Sequence, residues 1–394
     1  MVEAGLAHGS PGRPLILITD YPPDAQGGGA VILRSLLGPE DRRDVLWLSP
    51  SPSSDAPATL RSGSSGRGRR SLGLDQTIYA KALADEVLAI ARGRDARGFW
   101  VVLHGSGVAI ASRLAKAGTL PIHATVHDDP AYANALRSRR YLPLVPLIAR
   151  DFARAIRGAT SVDVIGQGMA DHYRRKYGVD SKIVHRALPG PVEAGPTYDK
   201  ARHGLRVGVL GSTYSYGQLP ILARAVESAA RTLGVPGRVL VVGRSHGERL
   251  KGEVGDRVEV EVLGHIEEAE AVPRLHDCFA LYLNYPFGPL DAALRRLSFP
   301  TKLGTYALAA RPILIHAPGD SSVMPLMEID GYAGHWGSLG EAEGASKLVE
   351  MWGNPRASES RHSEGESVRL RYYDPDRNRR TLFEALGALV GAER

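Results

Sequence analysis

Short apolar runs, most of them ended by a glycine or a polar residue, recur along this chain with helical segments between them. The first series is Leu15 to Thr19 (LILIT), Asp44 to Leu48 (DVLWL), Phe99 to Leu103 (FWVVL), Leu120 to Val126, Ser161 to Ile165 and Lys182 to Arg186. Runs that are apolar on both faces suit strands covered by helices on both sides, and strand–helix alternation builds a parallel sheet. Helices are predicted at Ala30 to Leu37, Asp75 to Ala91, from Pro146 to Arg157, and at Gln167 to Tyr177. Proline- and glycine-rich Leu188 to Pro196, then Thr197 to Gly204, interrupts the pattern as a linker would. It restarts with strands Arg206 to Leu210, Arg238 to Val242, Val258 to Leu263, Ala280 to Asn284 and Ile313 to Ile315, and with helices Leu219 to Leu233 and Glu267 to Leu275. The expected architecture is α/β, with a first doubly wound domain over 1–195, a linker at 196–204 and a second domain over 205–375. A last helix, Arg379 to Val390, lies within 376–394.

Two domains also fit the length of 394 residues. With 43% apolar and 23% charged residues the composition is globular, and no run approaches the ~20 apolar residues of a membrane helix. The first residues, MVEAGLAHGSPGRP, lack the charged-then-apolar order of a secretory signal. A single cysteine, Cys278, makes neither an internal disulfide nor a zinc cluster. These features point to a cytoplasmic protein. Residues 1–200 hold 26 Lys and Arg against 19 Asp and Glu, and the remainder 23 against 24. The excess suggests either that the first half meets an anionic partner or that its surface is simply arginine-rich. No helix-turn-helix, RNA-binding or zinc signature supports a nucleic-acid partner. Arg137 to Arg157 alternates arginine with bulky apolar residues, a pattern that suits a helix lying on an anionic membrane or one packed on a core.

Several stretches carry chemistry. In Ser298 to His316 (SFPTKLGTYALAARPILIH), Pro300 suits a helix start and the Thr301 hydroxyl is expected to cap it. Leu303, Tyr306, Ala307 and Ala310 supply one buried face, and Arg311-Pro312 stops the helix. Lys302 at that N-terminus, with amide donors and the helix dipole, makes an anion site suited to a diphosphate. Near the start, Tyr21-Pro22-Pro23 turns into Gly27-Gly28-Gly29, where a ligand can approach backbone. His104-Gly105-Ser106-Gly107 half-matches a dinucleotide glycine pattern but has Ile110 at its last glycine position, which favours an ordinary turn. Leu120 to Val126 ends in His127-Asp128-Asp129, at the sheet edge where ligands bind. Ser49 to Leu74, with Arg67, Arg69 and Arg70, reads as a mobile loop in which nothing packs.

The Ser298 to His316 stretch resembles the Pro-Ser-Lys-Leu…Tyr-x-Ala-x-Gly-x-Pro-Val segment of nucleotide-sugar-dependent glycosyltransferases of the GT-B fold, above all family 4. The Tyr-Pro-Pro…Gly-Gly opening is similar to theirs as well. The resemblance implies two Rossmann-like doubly wound domains facing a cleft, with acceptor-side residues in the first and the donor mainly on the second. By that resemblance Gly28 and Gly29 face the donor, and Gly211 and Ser212 line the phosphate side. Arg244, His265 and Ile266 lie by the base and ribose, and Thr301, Lys302 and Leu303 hold the diphosphate. His127 resembles the histidine beside the transferred sugar. Asp128 and Asp129 could orient it, bind acceptor hydroxyls or serve as a base, and Lys302 would stabilise the leaving diphosphate; His127, Asp128 and Lys302 are the expected catalytic residues. The last helix would return to the first domain. No metal and no cofactor beyond the nucleotide-sugar donor is expected.

Two family features are missing. Leu297 and Thr305 stand where a Glu-x7-Glu motif would place carboxylates, and GSTYSYGQLP after strand Arg206 to Leu210 carries no basic residue. The expected activity is transfer of a hexosyl or deoxyhexosyl group from a nucleotide diphosphate sugar to a hydroxyl on a glycan, a lipid-linked or a small-molecule acceptor. A retaining outcome is implied by the kinship, and polysaccharide assembly or natural-product glycosylation fits. The alternative is a catalytically silent GT-B protein that binds a nucleotide-sugar or a partner enzyme. Peripheral contact with the inner face of a membrane through the basic half is a further expectation.

Overall fold

The computed structural model describes residues 13–25, 28–50, 58–60, 78–130, 139–211, 213–243, 246–356 and 358–391. The chain forms two compact units: Met1–Leu188 with Leu297–Phe299 and Asp374–Arg394, and Pro189–Arg296 with Pro300–Tyr373.

The first unit is built on a seven-stranded sheet in the order β3-β2-β1-β4-β5-β6-β7, every neighbouring pair parallel. Its strands are β1 (Leu15–Ile18), β2 (Val45–Ser49), β3 (Ala58–Thr59), β4 (Gly98–Val102), β5 (Ile122–Val126), β6 (Ser161–Val164) and β7 (Lys182–Ile183). The helices are α1 (Gly28–Leu36), α2 (Ala80–Gly93), α3 (Ser106–Ala117), α4 (Val145–Arg157) and α5 (Gln167–Tyr177), numbering only the longer ones. Every residue of β1, β4 and β5 is buried, as strands inside a two-faced sheet require. Ile148, Phe152 and Ile156 give α4 its inner stripe, while Arg150 and Arg154 stay exposed. That helix starts at Val145, one residue before Pro146, because a proline in the first turn forfeits no helical hydrogen bond.

Part of Ser49 to Leu74 does pack, against expectation. Ala58 and Thr59 pair with Leu48 and Ser49, and Leu60 is fully buried; pairing with an existing strand supplies order that the local composition could not. Residues 51–57 and 61–74, Arg67, Arg69 and Arg70 included, lie outside the described residues, as does Arg137.

A buried polar chain crosses this sheet. Trp100 Nε1 donates to Thr125 Oγ1 (2.8 Å), which donates to Asp163 Oδ1 (2.5 Å). The same carboxylate oxygen meets His123 Nε2 at 2.6 Å, and His123 Nδ1 meets Ser161 Oγ at 2.9 Å. Ser161 Oγ in turn donates to the Ala385 carbonyl (2.7 Å). Ala385 lies on the last helix, which belongs to this unit and buries Leu382, Leu386 and Leu389. Asn378 of that helix accepts from the His185 amide (2.9 Å), and Arg379 reaches Asp41 (2.8 Å).

The second unit carries a six-stranded parallel sheet, β10-β9-β8-β11-β12-β13. These strands are β8 (Leu205–Leu210), β9 (Gly237–Val242), β10 (Glu259–Gly264), β11 (Ala280–Asn284), β12 (Ile313–His316) and β13 (Ala333–Trp336). Its longer helices are α6 (Gln218–Leu233), α7 (Gly247–Val254), α8 (Glu268–His276), α9 (Lys302–Ala309), α10 (Glu341–Gly353) and α11 (His362–Val368). The last helix of the chain, Pro375–Gly391, is then α12. Val207, Val209, Val239 and Val241 form the core with Leu222 and Val226 of α6 and Leu348 of α10. In both sheets the strand order reverses at the centre, at β1 and β4 and again at β8 and β11. Crevices outside the strand carboxyl ends at such points are where ligands bind.

Candidate functional site

In the second unit three adjacent strands finish on glycine. Gly211 follows β8, Gly243 follows β9 and Gly264 closes β10. The Gly211 amide donates to the Val242 carbonyl (2.6 Å) and the Gly243 amide to the Gly264 carbonyl (2.5 Å), which ties the three turns together. Gly243 has φ +126°, and a Cβ there would lie 2.9 Å from the Gly211 Cα, so only glycine fits.

Beyond Gly211, Ser215 and Gln218 are pinned from β11. Asn284 Nδ2 donates to the Ser215 carbonyl (3.1 Å) and to Gln218 Oε1 (3.0 Å), while Gln218 Nε2 donates to the Tyr285 (3.2 Å) and His316 (3.3 Å) carbonyls. Tyr214 stacks on Tyr285 with ring centroids 4.6 Å apart. His316 is fully buried and lies flat on Trp336, centroids 3.6 Å apart. Its Nε2–H donates to the Ser338 carbonyl (2.7 Å) and its Nδ1 accepts from the Tyr282 hydroxyl (2.6 Å), which defines a neutral imidazole. Burial pulls that imidazole down to about 4. The Thr213 hydroxyl, in the same segment, is buried with no hydrogen-bond partner among the described residues.

Helix α9 is held beside this edge. The Leu210 amide donates to Tyr306 Oη (3.1 Å), which donates to the Tyr282 carbonyl (2.8 Å). Lys302 opens the helix about one turn earlier, half-buried, and burial pulls its ammonium down from 10.5 to about 8. Such a cation, at the positive end of a helix, gains when an anion restores its lost solvation.

Thr301 does not cap α9 through its side chain. It already has helical φ and ψ, and no cap hydrogen bond is made. The Leu303 and Gly304 amides close tight turns onto the Pro300 (3.0 Å) and Thr301 (3.2 Å) carbonyls instead. Leu303 is fully buried, so both its side chain and its amide are engaged inside the unit. The helix ends at Ala310 with φ +48°, before Arg311-Pro312 can stop it.

At the outer part of this edge His265 is exposed, 3.9 Å from Glu267, and Ile266 is half-buried. Ser212 and Arg244 lie outside the described residues. At the two positions lacking family carboxylates, Leu297 is buried and Thr305 gives its hydroxyl hydrogen to Glu268 on α8. A carboxylate thus reaches Thr305 from another helix.

The corresponding edge of the first unit is filled by the chain itself. Asp20, two residues beyond β1, accepts from the Ser106 amide (3.2 Å) and hydroxyl (2.9 Å) and so caps α3. Gly105 has φ +52°, and a Cβ there would overlap the Asp20 carboxylate at 2.1 Å. The half-matching glycine pattern is therefore an ordinary turn, with Asp20 where a phosphate would sit.

Gly28 and Gly29 are the first residues of α1 rather than a loop, and a Cβ on Gly29 would come 2.5 Å from Tyr21 Oη. The close approach permitted there is used by Tyr21, whose hydroxyl is buried without a hydrogen-bond partner among the described residues. Burial, then the Asp20 and Asp128 carboxylates, push that phenol up. His127 is half-buried; burial lowers it more than the Asp163 carboxylate raises it, so it is neutral near pH 7. Asp129 accepts from Tyr173 Oη (3.3 Å). His127, Asp128 and Asp129 thus follow β5 beside Tyr21 and Tyr173.

No protein-family model and no curated protein matches this chain. Solved structures do. Sucrose-phosphate synthase from Thermosynechococcus elongatus has a TM-score of 0.69 at 12% identity, covering 96% of this chain and 100% of its own. Anabaena HepE, solved with UDP and glucose, gives 0.64 at 12% identity over 95% and 99%. The α,α-trehalose 6-phosphate synthase of Burkholderia multivorans gives 0.62 at 14% identity over 97% and 100%. The fold is GT-B. At these identities the likeness extends to the fold alone.

Proposed function

We propose that the chain is a glycosyltransferase that moves a sugar from a nucleotide diphosphate donor to a hydroxyl acceptor. The observation that carries this reading is the half-buried Lys302 at the N-terminus of α9, tied by Tyr306 to the glycine-ended edge of the second sheet. Structures sharing the fold hold UDP and UDP-glucose, and a diphosphate is the anion that this cation and helix end suit. Lys302 would stabilise charge on the departing diphosphate, and Thr213 would meet one of its oxygens. Neutral His127 would hydrogen-bond a sugar hydroxyl, and Asp128 would orient acceptor groups. Kinship with family 4, a retaining and metal-independent outcome and hexosyl or deoxyhexosyl transfer belong to this proposal. So does peripheral membrane contact through the exposed Arg150 and Arg154 of α4; among the described residues no helix is long and apolar enough to cross a membrane.

Thermal shift with a panel of nucleoside diphosphates and nucleotide-sugars tests the donor site, since a ligand of the folded state raises Tm by mass action. One nucleotide is expected to raise Tm in the wild type and not in Lys302→Ala. A folded protein that responds to no member of the panel would overturn the reading. The second reading, binding without turnover, draws on Leu297 and Thr305, which bring no carboxylate of their own. Donor binding without sugar release to water or any acceptor would favour it.

A further inference from the structure

A cavity of about 540 Å³ lies at the free edge of the second sheet, lined by residues of β13, α10 and the segments around them, Arg361 among them. Its volume is that of a small-molecule site. Pro312, Met327 and Met351 give it apolar walls, and Lys347 lies at its rim, paired with Glu350. None of these residues belongs to the Lys302 site.

Two features of its lining favour a polar guest. The first is Arg361, which is 2% exposed. One guanidinium nitrogen, Nη1, reaches Glu364 at 3.4 Å, but Nε is buried with no hydrogen-bond partner among the described residues. Buried guanidinium donors are normally matched by acceptors, and the flat guanidinium edge fits the two oxygens of a carboxylate or phosphate. Glu364 does not serve Nε, because its oxygens are taken by Arg356, Arg361 and Ser363.

The second feature is the backbone of β13, the edge strand. The Ile313 and Ala317 amides donate to the Tyr332 and Trp336 carbonyls. In a parallel pair the peptide groups alternate in direction, so those of Ala333 and His335 face the open edge. Both residues line the cavity.

We propose that this cavity is a second small-molecule site, for a ligand with an apolar body and one phosphate or carboxylate group seated on the Nε edge of Arg361. The apolar body lies against Met327 and Met351, and Lys347 adds a cation at the rim.

Calorimetric titration of the full chain with phenyl phosphate and, separately, benzoate, in a buffer free of both anions, tests this. One of the two probes is expected to bind one to one, and the better of them names the anion. Binding persists in Lys302→Ala, which separates this site from the donor site. It weakens at least tenfold in Arg361→Lys, which keeps the charge but lacks the planar edge, and severalfold in Lys347→Gln, whose rim position leaves folding intact if the arginine variant does not fold. Failure of both probes to bind the wild type at millimolar concentration overturns the proposal. So does binding that vanishes in Lys302→Ala, or that keeps wild-type affinity in Lys347→Gln and in a folded Arg361→Lys.

Discussion

The two sheets share a plan and differ in what occupies their carboxyl edges. In the first unit the anion at a helix start is part of the chain, the Asp20 carboxylate on Ser106. In the second unit the helix start brings a cation, Lys302, and the strand ends are bare glycine turns. A parallel sheet with a central reversal creates the crevice, but side chains decide whether it is filled from within or left for a ligand. The first edge turns its carboxylates onto its own donors, Asp20 onto Ser106 and Asp129 onto Tyr173. Each edge keeps one buried hydroxyl without a hydrogen-bond partner among the described residues, Tyr21 in the first and Thr213 in the second.

Removing the Lys302 ammonium is the sharpest way to break this contrast. Lys302→Ala should weaken nucleoside diphosphate binding by about 30-fold or more, since charge pairs of this kind are worth ~2–5 kcal/mol, measured by calorimetry on a folded protein. The pH dependence gives a second readout. The folded-state value, about 8, lies below the ordinary 10.5, so the unfolded chain holds this proton more tightly. The unliganded protein therefore gains stability as pH rises from about 8 to 10.5 and loses it as pH falls through 8. Diphosphate affinity should move the opposite way, falling as the ammonium is lost. Parallel slopes for stability and affinity in wild type, or unchanged slopes in the alanine variant, would sink the role given to Lys302.

Gly243→Ala comes next. Its φ of +126° and the 2.9 Å approach to Gly211 combine strain with overlap, and urea unfolding should show a loss of about 2–3 kcal/mol. Gly118→Ala is the control. It shares a positive φ of +61° but has nothing within 4 Å of the new carbon, and should cost ~1–2 kcal/mol.

Asp20→Ala sharpens the comparison from the other side. Loss of the cap should cost about 1–2 kcal/mol and should let sulfate or phosphate restore stability to a degree the wild type does not show. No anion response would mean that the α3 start is closed by more than its carboxylate.

Ala310→Gly should have the smallest effect. At φ +48° alanine strains the end of α9, and glycine should recover up to about 1 kcal/mol, less its own chain entropy. This gain should appear as a raised Tm with nucleotide binding unchanged.

Much of the scaffold could be read from the chain. LILI, FWVV and ALYL are uniformly apolar because strands between two helix layers have no wet face, and all three lie in strands of the structure. Ala333–Trp336 (AGHW) was missed because an edge strand with a glycine and a histidine carries no such run. Ala58–Thr59 was missed because two residues carry no period. Lys302 was legible because a lysine beside a proline-marked helix start is a local pattern. Asn284 and His316, polar ends on apolar strands, were the available hint of the buried network behind the site, and no spacing rule joins them to Gln218.

Local pattern therefore reached most of the strands and helices, the restart of the pattern, and a cation at one helix start. How each edge is filled follows from long-range packing. Asp20 and Ser106 stand 86 residues apart, and Leu210 and Tyr306 stand 96 apart. Hydrophobic periodicity acts over one turn or one strand, whereas these hydrogen bonds depend on where packing brings distant strand ends together. Thr301 makes the point at a single position: a residue type that favours capping lost the role when the neighbouring amides closed onto backbone carbonyls.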